Sequence, residues 1–335
     1  MSKPSSTETR PRGGREIRWR RWLGTLALAL AGAAALTAWL DAPHPSSPSR
    51  AAAATPAAAR AGELTGAGRH LALNLGGDAA GAAALGFDLA DAGSVAGLDA
   101  LPPDMQGVLW LGNGFNTRCA WRLDDAAVIA AVEAARAHPA FSGIYYIADE
   151  PHVAVCPEAP ERVAERTALI HAHDPRGRTL IVVQNGAKGQ GEFAAMAASA
   201  DLIAVDPYPC NHRNAETGCD LGALRTRIAT ALEAGIPPTR LVPVFQVFGQ
   251  ACAGKETPWY RLPSEAELLA MLAIWDELVP RDRRPLDIAY SWAPQEGSAC
   301  PTLAMAGGGD LPDLRAVMRA YLAGRSPRDI EAARR

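Results

Sequence analysis

From residue 69 onward the chain repeats one pattern: a short run of consecutive apolar residues, then a longer stretch with apolar positions every third or fourth residue. Unbroken apolar runs suit parallel strands covered on both faces. The wider spacing suits helices that bury one stripe against those strands. The runs predict strands at 70–75, 86–89, 107–111, 143–147, 179–183, 202–205, 241–245 and 287–291. Helices are expected at 124–138, 160–173, 192–199, 221–234, 264–278 and 311–323, the fifth opening on Ser264 with Glu267 three residues on, a capping box. Eight such alternations between residues 69 and 325 match a (β/α)8, or TIM, barrel. A doubly wound open sheet is the alternative, but Leu75-Gly76-Gly77-Asp78 lacks the spacing of a dinucleotide-binding turn.

The N-terminal portion breaks the pattern. Residues 22–40 carry no charge, and such a helix at ~1.5 Å per residue would cover most of a ~30 Å bilayer core. Lys3, Arg10, Arg12, Arg15, Arg18, Arg20 and Arg21 precede it, which predicts a cytoplasmic N-terminus and export of the rest. A cleaved signal peptide and an uncleaved signal anchor both fit. The expected layout is therefore a basic region 1–21, a signal or anchor helix 22–40, an Ala/Pro/Ser linker 41–62 and the barrel 63–335. An extracellular or cell-surface location follows, with the membrane as a partner through 22–40 if that helix is retained.

With 335 residues, 48% of them hydrophobic, the chain has enough apolar material for one sizeable core. A net charge of −3 gives no case for a nucleic-acid partner. A monomer without a cofactor is expected. The six cysteines all follow residue 118, and an even number in an exported chain suggests disulfides. Each falls after a predicted strand, so neighbouring loops would pair Cys119–Cys156, Cys210–Cys219 and Cys252–Cys300. No CxxC spacing supports zinc, and His70, His152 and His212 do not form a metal motif.

In a barrel of this type function gathers at the C-terminal ends of the strands. Those positions hold Asn74, Asp88 or Asp91, Asn113 and Asn116, Asp149 and Glu150, Gln184 and Asn185, Asp206 and Tyr208, Gln246 and Trp292. Amides, carboxyls and aromatic rings round one mouth suit a sugar, whose hydroxyls need polar partners and whose C–H faces pack on rings. Phosphate would call for Lys, Arg or a glycine-rich nest, which these loops scarcely supply.

The segment Tyr145-Tyr146-Ile147-Ala148-Asp149-Glu150-Pro151 resembles the Asn-Glu-Pro end of strand 4 in clan A glycoside hydrolases. Asp206-Pro207-Tyr208-Pro209 and Tyr290-Ser291-Trp292 resemble sugar-site elements of the same barrels. The resemblance implies a glycosidase with Glu150 as general acid/base and a carbohydrate as its partner. It departs from the family at Asp149, where an Asn is usual, and at Gln246, where the nucleophilic Glu stands. Three explanations stay open. Asp206 or Asp149 is the second carboxylate, with inversion if the pair stands ~6.5–9.5 Å apart. A substrate acetamido group is the nucleophile, oriented by Asp149 with Gln246 and Tyr208 assisting. Or the barrel binds carbohydrate without cleaving it. Plainer roles compete: a loop ion pair for Glu150, an Asx turn for Asp206, rim packing for Tyr208 and Trp292.

Overall fold

The computed structural model describes residues 68–184, 190–214 and 218–335, and within them eight parallel strands close into a barrel in sequence order. The strands are β1 (His70–Ala72), β2 (Leu89–Ala92), β3 (Gln106–Trp110), β4 (Phe141–Asp149), β5 (Arg178–Val183), β6 (Leu202–Val205), β7 (Leu241–Gln246) and β8 (Asp287–Tyr290). The barrel closes where β1 pairs with β8, Leu71 opposite Ile288. Around it lie α1 (Ala79–Leu85), α2 (Val95–Leu98), α3 (Asp125–Ala135), α4 (Ala159–His173), α5 (Gln190–Met196), α6 (Leu221–Glu233), α7 (Glu265–Leu278), α8 (Leu314–Leu322) and α9 (Pro327–Ala332). The expected barrel is thus present. The basic region, the apolar run 22–40 and the linker lie outside the described residues; among those described, no helix is long and apolar enough to cross a membrane.

Helix starts follow local chemistry. Asp124, Asp220 and Asp313 cap α3, α6 and α8 by accepting from backbone N–H groups three residues on. Ser264 and Glu267 form the expected reciprocal capping box on α7. The second strand is a correction: it runs from Leu89, not from residue 86. Gly86 instead ends α1 with φ 118°, a left-handed turn that glycine adopts without steric cost. The short α9 was also not expected; Ser326 caps it and Pro327 occupies its first turn.

Alternation along the strands divides the apolar residues into two cores. Leu71, Leu89, Val108, Leu180, Leu202, Ala204, Val242, Val244 and Ile288 fill the barrel interior, while Ile181, Ile203 and Val205 pack outward under the helices. β4 breaks the alternation. Its pairing with β5 skips Ile147, so one extra residue sits on β4 between Tyr146 and Ala148.

The three disulfides are those expected: Cys119–Cys156, Cys210–Cys219 and Cys252–Cys300. All join loops that follow strands, so they brace the C-terminal mouth. At the opposite end His70 Nδ1 lies 2.8 Å from Asp287 Oδ1. Arg284 donates to the other Asp287 oxygen (2.7 Å) and to the Tyr321 hydroxyl (2.6 Å). That buried network ties β1, β8 and α8 together.

Candidate active site

A cavity of about 630 Å3 opens at the C-terminal mouth, within the ~300–1,000 Å3 of small-ligand sites. Leu73, Val182 and Val244 give it an apolar base, and the carboxyls of Asp91, Asp149, Glu150 and Asp206 line it. Strand alternation explains most of this set. Asp91 stands two residues beyond inward-facing Leu89, and Asp206 two beyond inward-facing Ala204.

The bulge on β4 decides the rest. Tyr146 faces the interior, and strict alternation would turn Asp149 outward under the helices. The extra residue brings Asp149 back to the cavity, where the Tyr146 hydroxyl donates to Asp149 Oδ1 at 2.6 Å. The Asp149 backbone N–H donates to Asn113 Oδ1 at 2.9 Å, fixing the strand end against the β3 loop.

Glu150 takes φ 51°, the left-handed region that a non-glycine residue enters at a cost of order 1–3 kcal/mol. Its N–H still donates to the Val182 carbonyl (3.0 Å), and the His152 N–H donates to the Phe115 carbonyl (2.7 Å). Phe115 itself has φ 59°, and Asn74, at the end of β1, also has φ 59°. The Cys119–Cys156 bridge joins the same two loops that hold Glu150.

The Glu150 and Asp206 carboxyls line the same cavity and act on each other's titration. Two neighbouring carboxylates cannot both ionise easily, so each holds its proton more tightly than an isolated group would. Burial, then the Glu150 charge, pushes Asp206 well above the usual range. Burial and the neighbouring Asp149 push Glu150 up as well, opposed by the hydrogen bond from Asp206. Burial also raises Asp149, opposed by Tyr146. Asp91 is pushed up to about 6 by burial, with the Leu75 and Asn74 backbone acting against it.

Aromatic rings stand on two sides. Trp110 and Tyr146 meet edge to face at 4.4 Å. Across the mouth Tyr208 stacks on Tyr290 at 5.8 Å and meets Tyr260 and Phe248 edge-on. Burial first, then the nearby carboxylates, raises the Tyr146, Tyr208, Tyr260 and Tyr290 hydroxyls, so all four stay neutral donors.

Of the positions expected from sequence, Asn74, Asn113, Asp149, Glu150, Gln184, Asp206 and Tyr208 line this cavity. Asn185 lies outside the described residues. Four expected positions are placed elsewhere: Asp88 pairs with Arg69 at 3.2 Å, Asn116 accepts from the Thr117 N–H on an exposed loop, and Gln246 and Trp292 are engaged away from the cavity. Gln246 is buried, and its amide is spent on backbone: Cys210 N donates to its oxygen, and its nitrogen donates to the Cys210 and Arg261 carbonyls. Trp292 is packed edge-on against Phe87, and its indole N–H donates to Asp78, the cap of α1. Tyr290, expected only within the Tyr290-Ser291-Trp292 resemblance, and Tyr146, within the strand-4 motif, also line it, as do Trp110, Tyr260 and Gln295, which the sequence did not single out. For Trp110 and Tyr290 the signal was alternation, since each lies two residues past an inward-facing apolar residue. His152 stands 3.6 Å from Glu192 and acts electrostatically on Glu150.

No protein-family model matches the sequence, and no curated protein does. Among solved structures the barrel is similar to a β-glucuronidase from Ruminococcus gnavus, at 12% identity and TM-score 0.50 over 76% of this chain. A β-D-glucuronidase from Dictyoglomus thermophilum matches with 12% identity and TM-score 0.50 over 77% of the chain. What these proteins share with the chain is the barrel fold. The chain spans about half the length of these proteins, 49% and 50%.

Proposed function

We propose that the chain is a glycosidase-like protein acting on a carbohydrate, with Glu150 as general acid/base and Asp206 as the partner that shares its proton. The observation that carries this reading is the gathering of the Asp149, Glu150 and Asp206 carboxyls in one cavity walled by tyrosines and Trp110. A general acid must keep its proton near neutral pH, and burial beside other carboxyls supplies the means. With Glu150 and Asp206 sharing a proton, the pair together serves as the acid. Asp149 is the carboxylate left to face developing positive charge at the anomeric carbon. One of its oxygens accepts from Tyr146, and the residue lines the cavity.

The test is turnover of a panel of aryl glycosides and oligosaccharides by the wild-type protein and Glu150→Gln. Losing one general acid costs about 10²–10⁴-fold, so the variant should lose at least 100-fold while melting at the wild-type temperature. Equal turnover by the two proteins would sink the assignment. A second reading, binding without cleavage, is favoured by Gln246, whose sequestered amide leaves no carboxyl at the end of β7. Saturable sugar binding with no hydrolysis by the wild type would select it.

The barrel is further proposed to work outside the cytoplasm. The support is three disulfides, which persist in oxidising compartments, and the basic, then apolar, residues 1–40.

A further inference from the structure

The cavity carries charge of one sign at its depth. Asp91, Asp149, Glu150 and Asp206 stand at the strand ends, and none of them makes an ion pair among the described residues. The cations that touch the cavity, Arg122 and Lys255, are exposed loop residues. Asp149 accepts from Tyr146, whereas Asp91 is held by the backbone at Leu75 and Asn74. One oxygen of Asp91, like one of Asp206, is enclosed without a hydrogen-bond partner among the described residues, and no described side chain donates to Asp91. A carboxyl enclosed in this way is costly unless something satisfies it. The terminal torsion of an Asp is broad and two-fold, so a small rotation turns either oxygen to the cavity that the residue lines.

We propose that Asp91 is a recognition carboxylate, taking a hydroxyl or ammonium donor of the sugar at the β1–β2 side of the mouth, and that the cavity therefore selects neutral or amino sugars against uronic acids. The inference rests on the reading of the cavity as a sugar site. Asp91, raised only to about 6, is mainly ionised at neutral pH. A donor entering beside Asp91 completes its hydrogen bonding. A ring carboxylate entering there meets like charge in an enclosed space, with only exposed Arg122 and Lys255 to offset it. A fold shared with two glucuronidases therefore does not carry their named sugar into this cavity.

The experiment is calorimetric titration of the full chain at pH 7.5 with matched methyl glycosides. Each set holds the neutral sugar, its 2-amino form and its uronide, in gluco, galacto and manno configuration. In the set that binds, the neutral or the amino member should bind at least tenfold more tightly than the uronide. Asp91→Asn, which trades the charge for an amide of the same shape, should weaken the preferred sugar tenfold or more and narrow its margin over the uronide. A uronide that binds as tightly as its neutral counterpart overturns the proposal and leaves the glycosidase reading standing. So does an Asp91→Asn protein with unchanged affinities. If that variant fails to fold, the wild-type ratios decide alone. Binding of no member overturns this proposal together with the sugar-site reading beneath it.

Discussion

Gln246 stands where the glycosidases that the strand-4 motif resembles carry their nucleophilic glutamate. Restoring a glutamate there looks like restoring a nucleophile. The surroundings argue otherwise, because the amide nitrogen donates to the Cys210 and Arg261 carbonyls at 2.8 and 3.1 Å. A carboxylate in its place would set an unpaired charge against two carbonyl oxygens and strand both. Losses of that kind amount to about 3 kcal/mol or more. Gln246→Glu should therefore lower stability by that amount in denaturant titration at pH 7.5 and bring no gain in turnover. A stable variant with increased hydrolysis would show that Gln246 does face the substrate. Residue identity at this position was readable from sequence, but its direction was not. The aim of a side chain at a strand end depends on which neighbouring loop captures it, here the loop held by Cys210–Cys219.

At the scale of elements, the eight strands were legible because parallel strands must be apolar on both faces, and that requirement leaves an unbroken run in the sequence. β2 was legible only to within three residues, since Phe87 is as buried and apolar as the strand it precedes. The β4 bulge left no such trace. Tyr146, Ile147 and Ala148 form an ordinary apolar run, and nothing in it marks the residue that is skipped. Yet the bulge is what brings Asp149 beside Tyr146. The loops that follow depend on the Cys119–Cys156 bridge, which closes 37 residues. Loop-closure entropy for that length corresponds to about 4 kcal/mol. Replacing both cysteines by alanine should cost roughly 2–4 kcal/mol in guanidinium unfolding. Turnover should fall further than stability alone requires, because Glu150 holds its left-handed backbone only while the Phe115 loop grips residue 152. Unchanged turnover in a folded double variant would show that the strand pairing of Glu150 with Val182 suffices.

Across the whole molecule the titrating groups of the mouth all lean one way. Asp91, Asp149, Glu150 and Asp206 are raised, in each case first by burial. A raised carboxyl binds its proton more tightly in the folded chain than in the unfolded one. Its contribution to stability is then full at acid pH and is lost as pH climbs through the folded value. His70, raised by Asp287 against the opposing effect of burial, has the same sign at the other end of the barrel. Its contribution is complete below the unfolded value near 6.5 and is lost as pH rises through the folded one. Glu267 has the opposite sign, held down to about 2 chiefly by Arg261. Its contribution fails only as pH falls below about 4.5 toward that value, so it does not act in the neutral range. The free energy of unfolding should therefore decline from pH 5 to pH 8, with the steepest part between 5 and 7. Asp91 alone moves from 3.8 to about 6, which at 1.36 kcal/mol per unit corresponds to at most about 3 kcal/mol. Urea unfolding of wild type and Asp91→Asn at both pH values checks this. The variant should gain on the wild type at pH 8 and lose most of that gain toward pH 4. A wild-type curve that rises toward pH 8 would mean that the mouth is wetter and its carboxyls less confined than their placement implies. The stability surrendered at neutral pH is the expected cost of holding four carboxyls, largely unpaired, around one cavity. A ligand that supplies donors should return part of it, in proportion to its affinity.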